Sequence, residues 1–109
     1  MTQNNRGFFS EGKFFFELAG NAVMKLSPKA AIEVCQEATK RSLPIGMIEG
    51  GHWLNPGFRP DGNTRWDGLD KLTDKGEIKK NNDRAIENIN DDVVQGYNAF
   101  IITIVGFLK

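Results

Sequence analysis

Ile48-Glu-Gly-Gly-His-Trp-Leu-Asn-Pro-Gly-Phe58 is the stretch around which the rest of the chain must be arranged. It sets two glycines, a Pro-Gly pair, a Trp and a Phe around the single His of the sequence. It is too Gly-rich for a plain strand, and backbone freedom beside large aromatics marks a shaped, partly exposed surface. Ile45 to Glu49 reads as a short strand, and Trp53 to Phe58 is expected to pair back on it across a Gly50-Gly51 turn. Upstream, Ser27 is a good N-cap and Pro28 suits the first helical position, where its missing N–H costs nothing. Ala31, Val34, Cys35 and Ala38 recur on one helical face, so a helix is predicted from Pro28 to about Lys40, with Leu43-Pro44 as its stop. Downstream, a second helix is predicted from about Asn82 to Gln95. Asn81 or Asn82 would cap it, Ala85, Ile86, Ile89 and Val93 would form its buried face, and Gly96 would end it. Tyr97 to Val105 is β-branched and aromatic, the strongest strand signal in the chain. The order helix, strand, strand, loop, helix, strand predicts an α+β fold: a small, mainly antiparallel sheet with two helices packed on one face.

The chain has 109 residues, enough for one core and too few for two. Lys plus Arg equals Asp plus Glu at fourteen each, so the basic excess of a general nucleic-acid binder is missing, as are an acidic tail and a polybasic membrane patch. Cys35 is the only cysteine, which excludes an intrachain disulfide and fits a reducing compartment. No apolar run approaches the length of a membrane span, and Glu11 and Glu17 interrupt the Phe14-Phe15-Phe16 run that a signal peptide would need intact. A cytoplasmic protein is expected. Residues 1–23 carry phenylalanines without a clear period. They read either as a short amphipathic helix docked on the core or as an extension, with Met24 as the natural start; the extension is the favoured expectation, leaving a single domain over 24–109.

Chemistry is hard to find. His52 with Glu49 suggests an acid–base pair, yet nothing supplies a nucleophile with an orienting partner. One His without a second soft ligand leaves zinc without a site, and the carboxylates of residues 59–80 lack the spacing of a calcium loop. No dinucleotide or P-loop motif is present, so no cofactor is expected. The same long polar segment reads better as a recognition surface, since functional loops are often of this kind. Trp66 stands between Arg65 and Asp67, with Asp61 before and Asp70 after. Trp and Arg are enriched among interface hot spots, and carboxylates beside them would meet a basic partner. A core role for Trp66 is the competing reading, and Trp53 could fill space under the sheet.

Met24 to Gln36, Gly50-Gly-His-Trp-Leu-Asn-Pro-Gly-Phe-Arg59, Asn81 to Asn90 and Gly96-Tyr-Asn-Ala-Phe-Ile-Ile-Thr103 together resemble the immunity proteins of colicin E-five. The likeness spans most of residues 24–109, is weakest over 60–80 and does not reach 1–23. It implies an inhibitor rather than an enzyme, with the C-terminal ribonuclease domain of a cognate colicin as its partner, bound one to one, and neither direct nucleic-acid nor membrane binding. Such a toxin cuts tRNA anticodon loops in a basic site, so an occupant would offer negative charge at phosphate spacing and flat groups in place of bases. On residue type, Glu49, Asp61, Trp66, Asp67 and Asp70 are the expected mimics, with Trp53 and Arg65 in support. Lys71, Lys75, Lys79 and Lys80 would then have to face elsewhere. Two other readings are a small enzyme using His52 and Glu49, and a module that dimerises through Tyr97 to Val105 as an exposed edge strand.

Overall fold

The computed structural model of the chain describes residues 3–4, 7–54 and 57–107, with side chains from residue 7 onward. Its elements are β1 (Gln3–Asn4), β2 (Phe8–Phe9), α1 (Lys13–Glu17), β3 (Lys25–Leu26), α2 (Pro28–Lys40), β4 (Ile45–Trp53), β5 (Phe58–Pro60), a 3-10 turn (Gly62–Thr64), β6 (Trp66–Asp67), α3 (Lys75–Val94) and β7 (Ala99–Ile104). The strands form one sheet in the order β1-β2-β3-β7-β4-β5, with β6 on the same edge of β4 as β5. Every strand pair is antiparallel except β2 with β3. The α+β class and the mainly antiparallel sheet are as expected.

The core lies between this sheet and the helices. α2 packs on β3, β7 and α3, while α3 packs on β4 and α1 on α2, so the helices share one side. The apolar stripe of α2, Ala31, Val34, Cys35 and Ala38, is fully buried against Ile48, Phe100 and Ile102 of the sheet. Burial pushes the Cys35 thiol up to about 12, which leaves it a small core residue without thiolate character at neutral pH. At the start of α2 the Ser27 hydroxyl accepts from the Ala30 N–H at 3.1 Å, as the cap reading required.

Three expectations are corrected. Gly50 and Gly51 do not make a turn: β4 runs through them, and the reversal falls after Trp53, where the Leu54 N–H donates to the Gly57 carbonyl at 2.7 Å. The glycines serve close approach instead, since a Cβ on Gly51 would sit 2.2 Å from the Arg59 carbonyl oxygen of β5. Asn55 and Pro56 lie outside the described residues. α3 begins at Lys75, not Asn82. Asp74 caps it by accepting from the Glu77 N–H at 2.9 Å, and Asn81 and Asn82 sit buried within the helix, tying it to β4. β7 is not an edge but the strand between β3 and β4, so the dimerisation reading loses its free edge. Apart from these three, the described part of 1–23 packs on the core. Phe15 is fully buried, Phe9 nearly so, β2 pairs with β3, and the Asn21 side chain accepts from the Ile104 N–H at 2.5 Å.

Candidate partner-binding face

Strand alternation divides β4 between two surfaces. Ile48 and Gly50 point toward the helices together with their β7 partners Ile102 and Phe100. Met47, Glu49 and Trp53 therefore point to the opposite side, joined there by Ile101 and Thr103 of β7. These residues are half-buried, and none of the apolar ones belongs to the core cluster or to the hydrophobics packed against it. The result is a helix-free face with an apolar floor and acidic groups upon it.

β6 adds to this face. Asp67 stands opposite Met47, and Arg65, two residues earlier, donates from Nε to its carboxylate at 3.1 Å, with Nη2 also 3.1 Å away. The Asp67 hydrogen bond, the Asp67 charge and the charge of Glu49 together raise the Arg65 guanidinium above its ordinary value. Glu49, Arg65 and Asp67 thus form one small electrostatic group. Arg65 and Asp67 are both more than half exposed, so solvent screens their pairing and either can turn toward an incoming partner.

At the far end of β4, Trp53 is covered. Phe8 of β2 stacks on it with ring centroids 5.0 Å apart and planes 17° from parallel. β3 and β7 separate β2 from β4 in the sheet order, so this contact means that the sheet is curled at this end. An open pocket of about 390 Å³ adjoins Trp53, lined also by Phe9, Leu18, Val23, Lys25 and Phe58. The Trp53 backbone N–H donates to the Asn98 side chain at 2.9 Å, but its indole Nε1–H is buried without an acceptor among the described residues. A donor in that state costs about 1–3 kcal/mol.

The structure thus brings Glu49, Trp53, Arg65 and Asp67 to one face and sets the other three expected residues apart. Trp66 stands opposite Ile48, which turns it to the helix side, where it packs against the core. Asp61 is used by its own fold: it accepts from the Tyr97 hydroxyl at 2.6 Å and caps the 3-10 turn by accepting from the Asn63 N–H at 2.9 Å. The Tyr97 bond, helped by the cap, lowers the Asp61 carboxyl and raises the phenol of Tyr97. Asp70 is exposed in the connection between β6 and α3. Of the lysines, Lys75, Lys79 and Lys80 ride on α3 on the helix side, and Lys71 is exposed in the same connection as Asp70. His52 and Glu49 lie three positions apart on one strand and therefore face opposite ways; His52 sits against Tyr97 with ring centroids 5.0 Å apart. They cannot act as an acid–base pair.

The family described as Colicin-E5 Imm protein matches residues 24–105. This chain belongs to the colicin-E5 immunity protein family. Its similarity to the Escherichia coli colicin-E5 immunity protein is 59% identity over 81 residues, covering 74% of this chain and 98% of that protein. The colicin-E5 immunity protein in ColE9, also of Escherichia coli, is 58% identical over 81 residues, with the same coverage of both chains, 74% and 98%. The immunity protein CdiI of Burkholderia pseudomallei is 42% identical over 89 residues, 82% of this chain and 81% of that protein. Immunity proteins are inhibitors rather than enzymes, in keeping with the opposed His52 and Glu49. The family match contains β3 through β7, and hence Glu49, Trp53, Arg65 and Asp67, but not β2 or α1.

Sequence reasoning missed Phe8, Met47 and Ile101. The last two were within reach, because a strand that buries Phe100, Ile102 and Ile104 must turn Ile101 outward. Nothing local signalled that Phe8 would meet Trp53.

Proposed function

We propose that this chain is an immunity protein that binds the C-terminal ribonuclease domain of a cognate colicin, one to one, in the cytoplasm of the producing cell. Bound there, it blocks the cleavage of tRNA anticodons. The observation that carries this reading is the convergence of Glu49, Asp67 and Trp53 on the helix-free face, within the segment that matches the family. A ribonuclease site is basic and accommodates flat bases. Two carboxylates held on adjacent strands offer charge at a fixed spacing, and Trp53 with the Phe8 ring stacked on it adds a planar aromatic group at the edge of the same face. Arg65 holds Asp67 in place and can give up that contact to the toxin. With net charge zero over the chain, attraction to a basic site has to be local, and the lysines of α3 lie on the other side of the sheet. Asp70 stands at the margin as a second-rank contact, while Asp61 and Trp66 shape the surface from behind.

The test is a tRNA-cleavage assay with the colicin E5 ribonuclease domain, titrated with the full chain. Cleavage should stop near one equivalent. Full cleavage at a hundredfold excess would overturn the reading for that toxin.

A further inference from the structure

The three residues that most define the helix-free face lie inside the family match, but the ring that covers one of them does not. Phe8 precedes residue 24, where the family match begins, and 81 residues of this chain cover 98% of each of the two Escherichia coli relatives. Here the region is part of the fold: Phe9 is buried, its carbonyl accepts from the Ser27 N–H at 2.8 Å, and β2 runs parallel to β3. Phe9 is thus the anchor. Its neighbour Phe8 points the other way, is only half-buried, and follows Gly7, whose φ of 98° is open to glycine and strained for other residues. The ring it covers, Trp53, has a buried indole N–H with no acceptor among the described residues.

We propose that Phe8 is a specificity filter laid over Trp53, and this rests on the function proposed above. A toxin domain shaped to receive an uncovered tryptophan meets the outer surface of Phe8 first. It can seat Trp53 only by displacing that ring, which then frees the covered face of the indole for a flat or cationic group on the toxin. A toxin shaped for the stacked pair binds without that displacement. The chain therefore discriminates among related ribonuclease domains through a residue outside the segment it shares with the matched colicin immunity proteins.

The experiment measures binding of the colicin E5 ribonuclease domain to the full chain and to Phe8→Ala, with tRNA cleavage as a second readout. Phe8→Ala should bind at least tenfold tighter than the unaltered chain. Equal or weaker binding by Phe8→Ala would overturn the filter while leaving the immunity reading intact. Binding by neither protein would remove both, because the filter needs a toxin to act on. Acrylamide quenching of Trp53 fluorescence, in a Trp66→Phe background without toxin, provides an independent check. The quenching constant should rise at least twofold on Phe8→Ala, and an unchanged constant would show that Phe8 does not cover the indole.

Discussion

Replacing Asn82 with alanine tests how the helix layer holds the start of β4. The Asn82 side chain is fully buried and makes four hydrogen bonds. Its Oδ1 accepts from the Ile45 N–H at 2.9 Å and from the Asn81 amide at 3.0 Å, and its Nδ2 donates to the Thr39 hydroxyl and the Leu43 carbonyl, each at 3.0 Å. The Thr39 hydroxyl keeps its bond to the Cys35 carbonyl, and the Asn81 amide keeps its bond to the Ile45 carbonyl, so neither is stranded. The Ile45 N–H and the Leu43 carbonyl are. Leaving a buried polar group unsatisfied costs about 1–3 kcal/mol, and the space vacated by the amide adds a smaller cavity penalty, giving a loss of about 3–4 kcal/mol. That is a large fraction of the 5–15 kcal/mol expected for a domain of this kind, and corresponds to a fall in Tm of roughly 15–25 °C. Urea unfolding followed by far-UV circular dichroism measures it, with the m-value unchanged. An N-cap residue at the same position would cost only about 1 kcal/mol on the same substitution. A measured loss of 1 kcal/mol or less would therefore refute the buried-network account and restore a helix start at Asn82.

Three further outcomes are expected. Trp53→Ala should weaken toxin binding by at least about 2 kcal/mol, roughly thirtyfold, by isothermal titration, as for an aromatic hot spot; a change under threefold would place Trp53 outside the interface. Asp67→Lys should weaken binding tenfold or more and reduce its salt dependence, whereas Asp70→Lys should change it less than threefold; the reverse ranking would move the interface toward the loop before α3. Asp92 sits almost buried in the last turn of α3, where burial, Asp91 and Asp61 raise its carboxyl above the ordinary value. An acid with a raised folded value favours the fold when protonated, so its contribution is lost as pH rises through that value. Asp92→Asn should therefore raise Tm at pH 7 and have little effect near pH 3, and a lowered Tm at pH 7 would contradict the sign.

How much was legible depended on whether the signal was local. α2 could be read to the residue because Ser27, Pro28 and the buried stripe all lie within its own span. The start of α3 was missed although Asp74 and Glu77 form a cap pair, because Lys75 to Lys80 offers only Ile78 as an apolar landmark and the two asparagines imitate a cap. Gly50 and Gly51 were misread because a glycine pair looks the same whether it bends the chain or admits a neighbouring strand; only the position of the Arg59 carbonyl tells these apart. For the candidate site, residue type put forward seven residues, of which Glu49, Trp53, Arg65 and Asp67 share one face. Which of the seven shared a surface was a matter of strand parity across β4 and β6, and the register between those strands is not written in either one. The covering of Trp53 by Phe8 joins residues 45 positions apart and left no trace in the sequence.

The placement of β7 bears on when protection can begin. β7 is the last strand of the described chain to be synthesised, yet it occupies the middle of the sheet, bonded to β4 from Ile45 to Gly51 and to β3 at Leu26. Until it emerges, β4 lacks the neighbour that spans most of its length, and β2 with β3 has no sheet to join. Contacts between such distant segments form late and close together. A nascent chain or a C-terminally clipped fragment would therefore present no assembled recognition face, whatever fraction of the sequence it carried. Immunity in a producing cell would track the supply of finished molecules, and partial products would contribute nothing.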